Sequence, residues 1–266
     1  MKRWRMVPFI VAVALMVLPS LAVAQEQPKL LSWVGFINVK PGADPMFEKA
    51  FDKYQAPLLN QLVADGHAAS WGLGYELAGP GGYDYVVWVT MPGWAGMSAV
   101  EKAFDDRYES MSEDDLKGMM GEWLAAMEDD GEVTQLLRHQ VFNSAPSTEY
   151  NYLKLSTWVV KPGHGGDVMQ MYKDYAQPVY EQLLADGTIT GYGMIEQVVH
   201  ADSSFTHETW ITFKDLADLD TVEAAFMAAD EDVGEADHMA RKLAYMKITN
   251  PAHHHDRLLR VWKRSE

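Results

Sequence analysis

An α+β chain made of two tandem β-α-β-β-α-α-β units is the fold class this sequence predicts, and three observations predict it. Lys40-Pro41-Gly42 returns as Lys161-Pro162-Gly163, 121 residues later. The helical text after each turn ends in the same way, at Ala64-Asp65-Gly66 and at Ala185-Asp186-Gly187. Within that text Tyr54, Pro57, Gln61 and Leu62 recur at the same offset as Tyr175, Pro178, Gln182 and Leu183. Self-similarity at a fixed spacing marks a repeated structural unit, so the chain reads as an internal duplication.

Lys2, Arg3 and Arg5 precede an apolar run from Val7 to Leu18, and Ala22-Val23-Ala24 is a small-x-small cleavage site. Residues 1–24 therefore read as a secretory signal peptide, and the expected location is the periplasm or the exterior. An uncleaved anchor is the alternative, although the run is short for a membrane span. The rest divides into a first repeat, 25–142, a linker, 143–151, and a second repeat, 152–266. Units of ~120 residues are large enough to bury a core. The net charge of −16 argues against nucleic acid or an anionic membrane surface as partners. With no cysteine there is no disulfide, lipoprotein anchor, thiolate metal site or covalent c-type haem.

Ser32 to Val39 alternates and reads as the first strand. Asp44 can cap the next helix and Pro45 suits its first position. Phe47, Phe51, Tyr54, Leu58 and Leu62 form one helical stripe, repeated as Val168, Tyr172, Tyr175, Val179 and Leu183. Pro57 and Pro178 should kink these helices or divide each into two shorter ones. Gly66 and Gly187 suit left-handed helix ends.

Strands are expected over His67–Leu77 and Tyr83–Met91, and again over Thr188–Val198 and Phe205–Phe213. A helix through Ala99–Phe104 matches one through Thr221–Phe226, and a third helix, Glu113–Met127 after Ser112, matches Glu235–Lys247. The last strands are Val133–Phe142 and His255–Trp262, aligned through Leu136-Leu137-Arg138 and Leu258-Leu259-Arg260.

This element order, with a Lys-Pro-Gly turn before a long first helix, resembles the dimeric α/β-barrel superfamily, in its antibiotic-biosynthesis-monooxygenase-like and NIPSNAP-like branches. The resemblance implies ferredoxin-like units that pair their sheets into a barrel, here within one chain. It also implies monooxygenase-like activity without a cofactor, or haem held by a helix histidine of the second copy, as alternatives to simple binding. His238 is the residue it singles out.

A sheet covered by helices on one side alternates between a helix face and an inner face. Trp88, Thr90 and Arg138, with Trp210, Thr212 and Arg260, are assigned to the inner face. Matched indoles and guanidiniums can line one cavity for an apolar, aromatic or carboxylated ligand. Alternatively they fill the barrel, with the arginines paired to Glu208 or other acids. Trp71 and Tyr192 on the second strands, and Tyr54 and Tyr175 on the first helices, read as core aromatics or as groups reaching that cavity. His253-His254-His255-Asp256 reads as a solvated loop with casual metal affinity, because consecutive strand residues point opposite ways; His253 and His255 are weak metal candidates only. The clusters at Glu113 and Asp230 read as solvated helix starts. No phosphate loop, nucleophile elbow or metalloprotease helix is present. The leading expectation is an exported small-molecule-binding protein with no resident cofactor and no membrane contact after cleavage. Self-association and a purely structural role stay open.

Overall fold

The computed structural model describes residues 29–144, 149–199 and 205–265, with only the backbone of residues 130–132. The leader at 1–24 lies outside these residues. The chain runs β1 (Leu30–Val39), α1 (Asp44–Ala50), a π-helical turn (Phe51–Gln55), α2 (Ala56–Ala64), β2 (Ser70–Ala78), β3 (Tyr85–Pro92), α3 (Gly93–Ser110), α4 (Glu113–Ala126) and β4 (Met127–Ser144). It continues with β5 (Tyr152–Val160), α5 (Gly165–Met171), a second π turn (Tyr172–Ala176), α6 (Gln177–Ala185), β6 (Gly191–Gln197), β7 (His207–Phe213), α7 (Asp218–Val233), α8 (Glu235–Ile248) and β8 (Thr249–Arg264). Among the described residues no helix is long and apolar enough to cross a membrane.

The strands close into one antiparallel barrel in the order β1-β3-β2-β8-β5-β7-β6-β4. Two seams, β2 with β8 and β4 with β6, join the four strands of one half to the four of the other. The period of two then sorts side chains into lumen and helix layers. Val34, Phe36, Val86, Leu137, Leu155 and Leu259 meet in the lumen together with Trp88 and Trp210. Leu73, Val87, Val89 and Trp71 face the other way and pack under Phe47, Phe51, Leu59 and Leu62 of the first helices.

Several expectations need correcting. Asp44 does not cap α1: Ala43 occupies that position, and Asp44 Oδ1 accepts from the Tyr85 hydroxyl at 3.2 Å. Near Pro57 and Pro178 each helix is divided into two α segments, as one of the two expectations had it, but the division is made by a π turn. Each proline follows that turn, where Ala56 N–H reaches back to the Phe51 carbonyl and Gln177 N–H to that of Tyr172. The wider turn places each proline at the start of a fresh α segment, where its missing donor costs little. Asp230 to Asp232 end α7 rather than begin a helix. Asn143 and Ser144 belong to β4, not to a linker. His253 to Asp256 lie in β8, whose hydrogen bonding to β5 extends the strand well before His255. Ser112 does cap α4, accepting from Asp115 N–H at 3.1 Å. Gly66 and Gly187 do adopt left-handed φ values, 74° and 84°.

The two lumen indoles lie flat on glycines of the neighbouring strands. A Cβ at Gly72 would stand 2.0 Å from the Trp88 ring, and one at Gly193 2.6 Å from the Trp210 ring. Gly72→Ala should cost about 1–3 kcal/mol through overpacking, a fall in Tm of roughly 2–4 °C for each kcal/mol in a chain of this size. Trp88→Leu added to it should restore part of the loss. Thermal unfolding followed by circular dichroism checks this, and an unchanged Tm for Gly72→Ala contradicts the seating of the indole.

Candidate functional site

The eight residues singled out from the sequence do not converge. Trp88 and Trp210 point into the lumen. Arg138 and Arg260 do not: the inner positions of β4 and β8 are taken by Leu137 and Leu259, both fully buried, and alternation turns the arginines outward. Arg138 Nη1 lies 3.5 Å from Glu196 Oε1 on a part-exposed outer face, and Arg260 is exposed. The physical reason is desolvation, since a guanidinium without a partner costs far more in the lumen than leucine does. Trp71 is buried beneath α2, its indole N–H donating to Asn60 Oδ1 at 2.9 Å. Tyr192 donates to Glu181 at 3.2 Å and Tyr175 to Asp230 at 2.7 Å, both on the helix side of the second half. Tyr54 lies in the first π turn with the Lys53 ammonium 4.5 Å over its ring.

Besides Thr90 and Glu208, the lumen carries polar groups not expected there. Arg257, rather than Arg260, is the inward arginine. It pairs with Glu76 across the β2–β8 seam and lies over the rings of Phe36 and Tyr83, at 5.8 and 5.3 Å. Ser32 Oγ is 2.9 Å from Thr90 Oγ1 and 2.8 Å from His139 Nε2. Burial pushes the His139 imidazole down to about 4. Burial also pushes the Glu208 carboxyl up to about 8, against the pull of the Arg257 guanidinium. Gln135 and Gln197, on β4 and β6, are buried as well. A signal was available: Gln135, Leu137 and His139 alternate in one phase, and Arg257 and Leu259 repeat that phase 122 residues on.

Outside the lumen, a groove of about 730 Å3 runs along the β2–β8 seam beneath α2. Trp71, Tyr150, Trp262, Lys263, Arg264 and Asn60 are among its lining residues. The Arg264 guanidinium stacks 4.6 Å from the centre of the Tyr150 ring and donates through Nη1 to the Tyr150 carbonyl. Among the described residues its remaining nitrogens have no protein partner. Lys263 lies 4.6 Å over the Trp262 ring and pairs with Asp52. The groove thus joins aromatic faces to cations in a chain of net charge −16.

No protein-family model matches this chain, and no curated protein does. Solved structures do resemble it. A protein of Fusobacterium nucleatum subsp. nucleatum, provisionally named a monooxygenase, is 10% identical, with 90% of this chain and 94% of that one aligned at a TM-score of 0.59. A Lactobacillus acidophilus protein with the same provisional name is 9% identical over 89% of this chain and 96% of its own, at 0.57. A haem-binding protein of Thermus thermophilus matches more loosely, 7% identical over 88% of this chain and 92% of its own, at a TM-score of 0.48. At these identities the likeness is one of fold: a ferredoxin-like α/β barrel.

The residues present do not fit a haem ligated by His238. Its Nδ1 is 2.9 Å from Asp230 Oδ1, in a surface network shared with Tyr175. The layer between the helices and sheet of the second half is filled by Tyr172, Tyr180, Tyr192 and Phe213. Among the described residues no group of three or more His, Cys, Asp or Glu side chains is arranged to hold a metal ion. His254 stacks on Trp158 with ring centres 5.2 Å apart.

The lumen titrations set a pH profile. Glu208, raised from 4.5 to about 8, holds its proton more tightly when folded, so its share of stability is complete below pH 4.5 and lost as pH rises through 8. His139, lowered from 6.5 to about 4, holds its proton less tightly when folded, so its share is complete above pH 6.5 and lost as pH falls through 4. The two slopes oppose one another between pH 4.5 and 6.5, which leaves a plateau there. Denaturant unfolding across pH should show Glu208→Gln flattening the alkaline decline and His139→Gln flattening the acid one. An alkaline limb unchanged in Glu208→Gln contradicts the burial of that carboxyl.

Proposed function

We propose that this chain is an exported binding protein, built by internal duplication, whose ligand is a small aromatic carboxylate lying in the seam groove. The observation that carries this reading is the groove itself, about 730 Å3 with two indoles, a phenol, an ammonium and a guanidinium on its walls. That volume suits a small organic molecule, and apolar walls with a few convergent polar groups are what such sites offer. Aromatic faces take a planar ring, while the uncommitted nitrogens of Arg264 offer a fork for a carboxylate. The barrel lumen is less suited to a ligand of this size, because Trp88 and Trp210 fill it against Gly72 and Gly193. The duplication rests on the 121-residue sequence offset and on an element order that occurs twice. Export rests on the basic, apolar and small-x-small pattern of residues 1–24.

A second reading is an enzyme that oxidises without a bound cofactor. It is favoured by one observation, a buried neutral imidazole at His139 joined through Ser32 to Thr90 inside the lumen. It is also the activity in the provisional names of the two Fusobacterium and Lactobacillus proteins. Oxygen uptake on turnover with the same aromatic acids separates it from binding alone.

Calorimetric titration with phenylacetate and its neutral partner phenylacetamide tests the binding reading. The acid should bind and the amide should bind poorly. Arg264→Gln should weaken the acid by about tenfold or more through loss of a charge-assisted pair, with Trp262→Leu weakening acid and amide alike. Equal binding of acid and amide, or an affinity indifferent to Arg264, would contradict the assignment.

A further inference from the structure

A second pocket, of about 580 Å3, opens at the far end of β2, between α1 and the β2–β3 hairpin. Asp44, Glu48 and Asp84 bring carboxylates to it, and Tyr75, Tyr83 and Tyr85 bring rings. Glu76 also lines it, but that carboxylate is already held by Arg257 and by the Gly81 N–H. No lysine, arginine or histidine is among the lining residues. Asp44, Glu48 and Asp84 have no cationic partner among the described residues. Asp44 and Glu48 converge on one atom: each places a carboxylate oxygen 3.2 Å from the Tyr85 hydroxyl. That hydroxyl carries one hydrogen, so it donates to only one of them at a time. Burial, reinforced by the two charges, raises the Tyr85 phenol above its usual range, so it stays a donor.

The second half of the chain is an internal control for these acids. It has the same elements in the same order, and the positions corresponding to Asp44, Glu48 and Asp84 are Gly165, Met169 and Thr206, with His207 in place of Tyr85. The correspondence holds in space. A Cβ at Gly165 would stand 3.7 Å from the His207 imidazole, much as Asp44 stands beside Tyr85. Thr206 Oγ1 accepts the Val160 N–H at 2.7 Å, and Asp84 Oδ2 accepts the Val39 N–H at 2.8 Å. A neutral hydroxyl therefore performs the structural task that Asp84 performs, and the other two positions need no polar atom at all. The three charges in the first half are additional to what the fold requires. Gathered round one pocket they repel one another until a cation joins them. Among the described residues no group of three or more acids is arranged to hold a metal ion, which leaves an organic cation as the fitting partner.

We propose that this pocket binds a small organic cation, a primary amine with an aromatic or short apolar body. An ammonium has three donors, so it takes the carboxylate that Tyr85 leaves unsatisfied and still has hydrogens for its neighbours. The body of the amine rests on the phenol walls, and the charge gains from any ring face it meets. The pocket shares no lining residue with the seam groove, so the site does not depend on a ligand there. The two sites also differ in sign: cations line the groove, and acids line this pocket.

Calorimetric titration of the whole protein at neutral pH provides the test, with benzylamine as the probe and benzyl alcohol as its uncharged counterpart. The amine should bind saturably, more weakly as salt is added, and the alcohol should bind poorly. The double variant Asp44→Asn with Glu48→Gln keeps the shapes and removes the charges. It should weaken the amine by about tenfold or more. Asp84→Thr installs the side chain that the second half uses, so it keeps the bond to Val39 and the parent's Tm, and it should weaken the amine by about threefold. Thermal unfolding gives a second readout: benzylamine should raise the Tm of the parent and not that of the double variant, since a ligand stabilises only the form that binds it. Equal binding of amine and alcohol, or an affinity unchanged in both variants, would overturn the proposal. So would saturable binding of calcium that excludes the amine, the mark of a metal site.

Discussion

Everything in this structure depends on closing two seams. Four strands in the order β4-β1-β3-β2 leave a hydrogen-bonding edge at each end, and so do β8-β5-β7-β6. An open edge presents rows of unpaired N–H and C=O groups and invites aggregation. Here each half satisfies the other, β2 on β8 and β4 on β6. Closure then creates an interior that must be filled. Trp88 and Trp210 fill it, and their rings fit only because the facing residues are Gly72 and Gly193. The same closure is what drives Glu208 towards its uncharged form and His139 away from its charged one. The electrostatics of the lumen are therefore consequences of the topology rather than features added to it.

Much of this was legible in the residues. The Lys-Pro-Gly turns, the apolar helical stripe, the Ser112 cap and the left-handed glycines are local signals with local causes, and the backbone follows them. The inward direction of Trp88 could be read because Val86, Trp88 and Thr90 share one phase of a short strand. The phase of the last strands could not. Leu136-Leu137 and Leu258-Leu259 place an apolar side chain on both faces, so the alternation that distinguishes inside from outside is blank there. Leu136 packs towards the helices and Leu137 into the lumen, and this choice decides where Arg138 points. The π turns were hidden for a different reason. A proline at position 57 or 178 says that the hydrogen-bond ladder must give, not how it gives. The polar wall was hidden because glutamine on a strand carries no sign of burial until the strand across the seam is known.

The halves are alike in outline and different in what they carry. One seam holds a charged pair that satisfies itself, and the other holds two amides that do not. A part-buried pair that satisfies itself contributes fixed geometry, whereas an unsatisfied buried amide costs stability. The groove follows the same division, opening on the seam whose interior is already closed by Glu76 and Arg257. Its cations lie at the end of β8, in a chain otherwise dominated by acids.

Amide hydrogen exchange across the seams tests the central claim most directly. The account predicts that the β2 and β8 amides paired between Leu73 and Glu76 and between Leu259 and Val261, and the β4 and β6 amides paired around Leu137 and Gln197, exchange as slowly as those of the central strands β1 and β5. Seam amides that exchange like free edges while β1 and β5 stay protected would mean that the halves stand apart. There would then be no enclosed lumen.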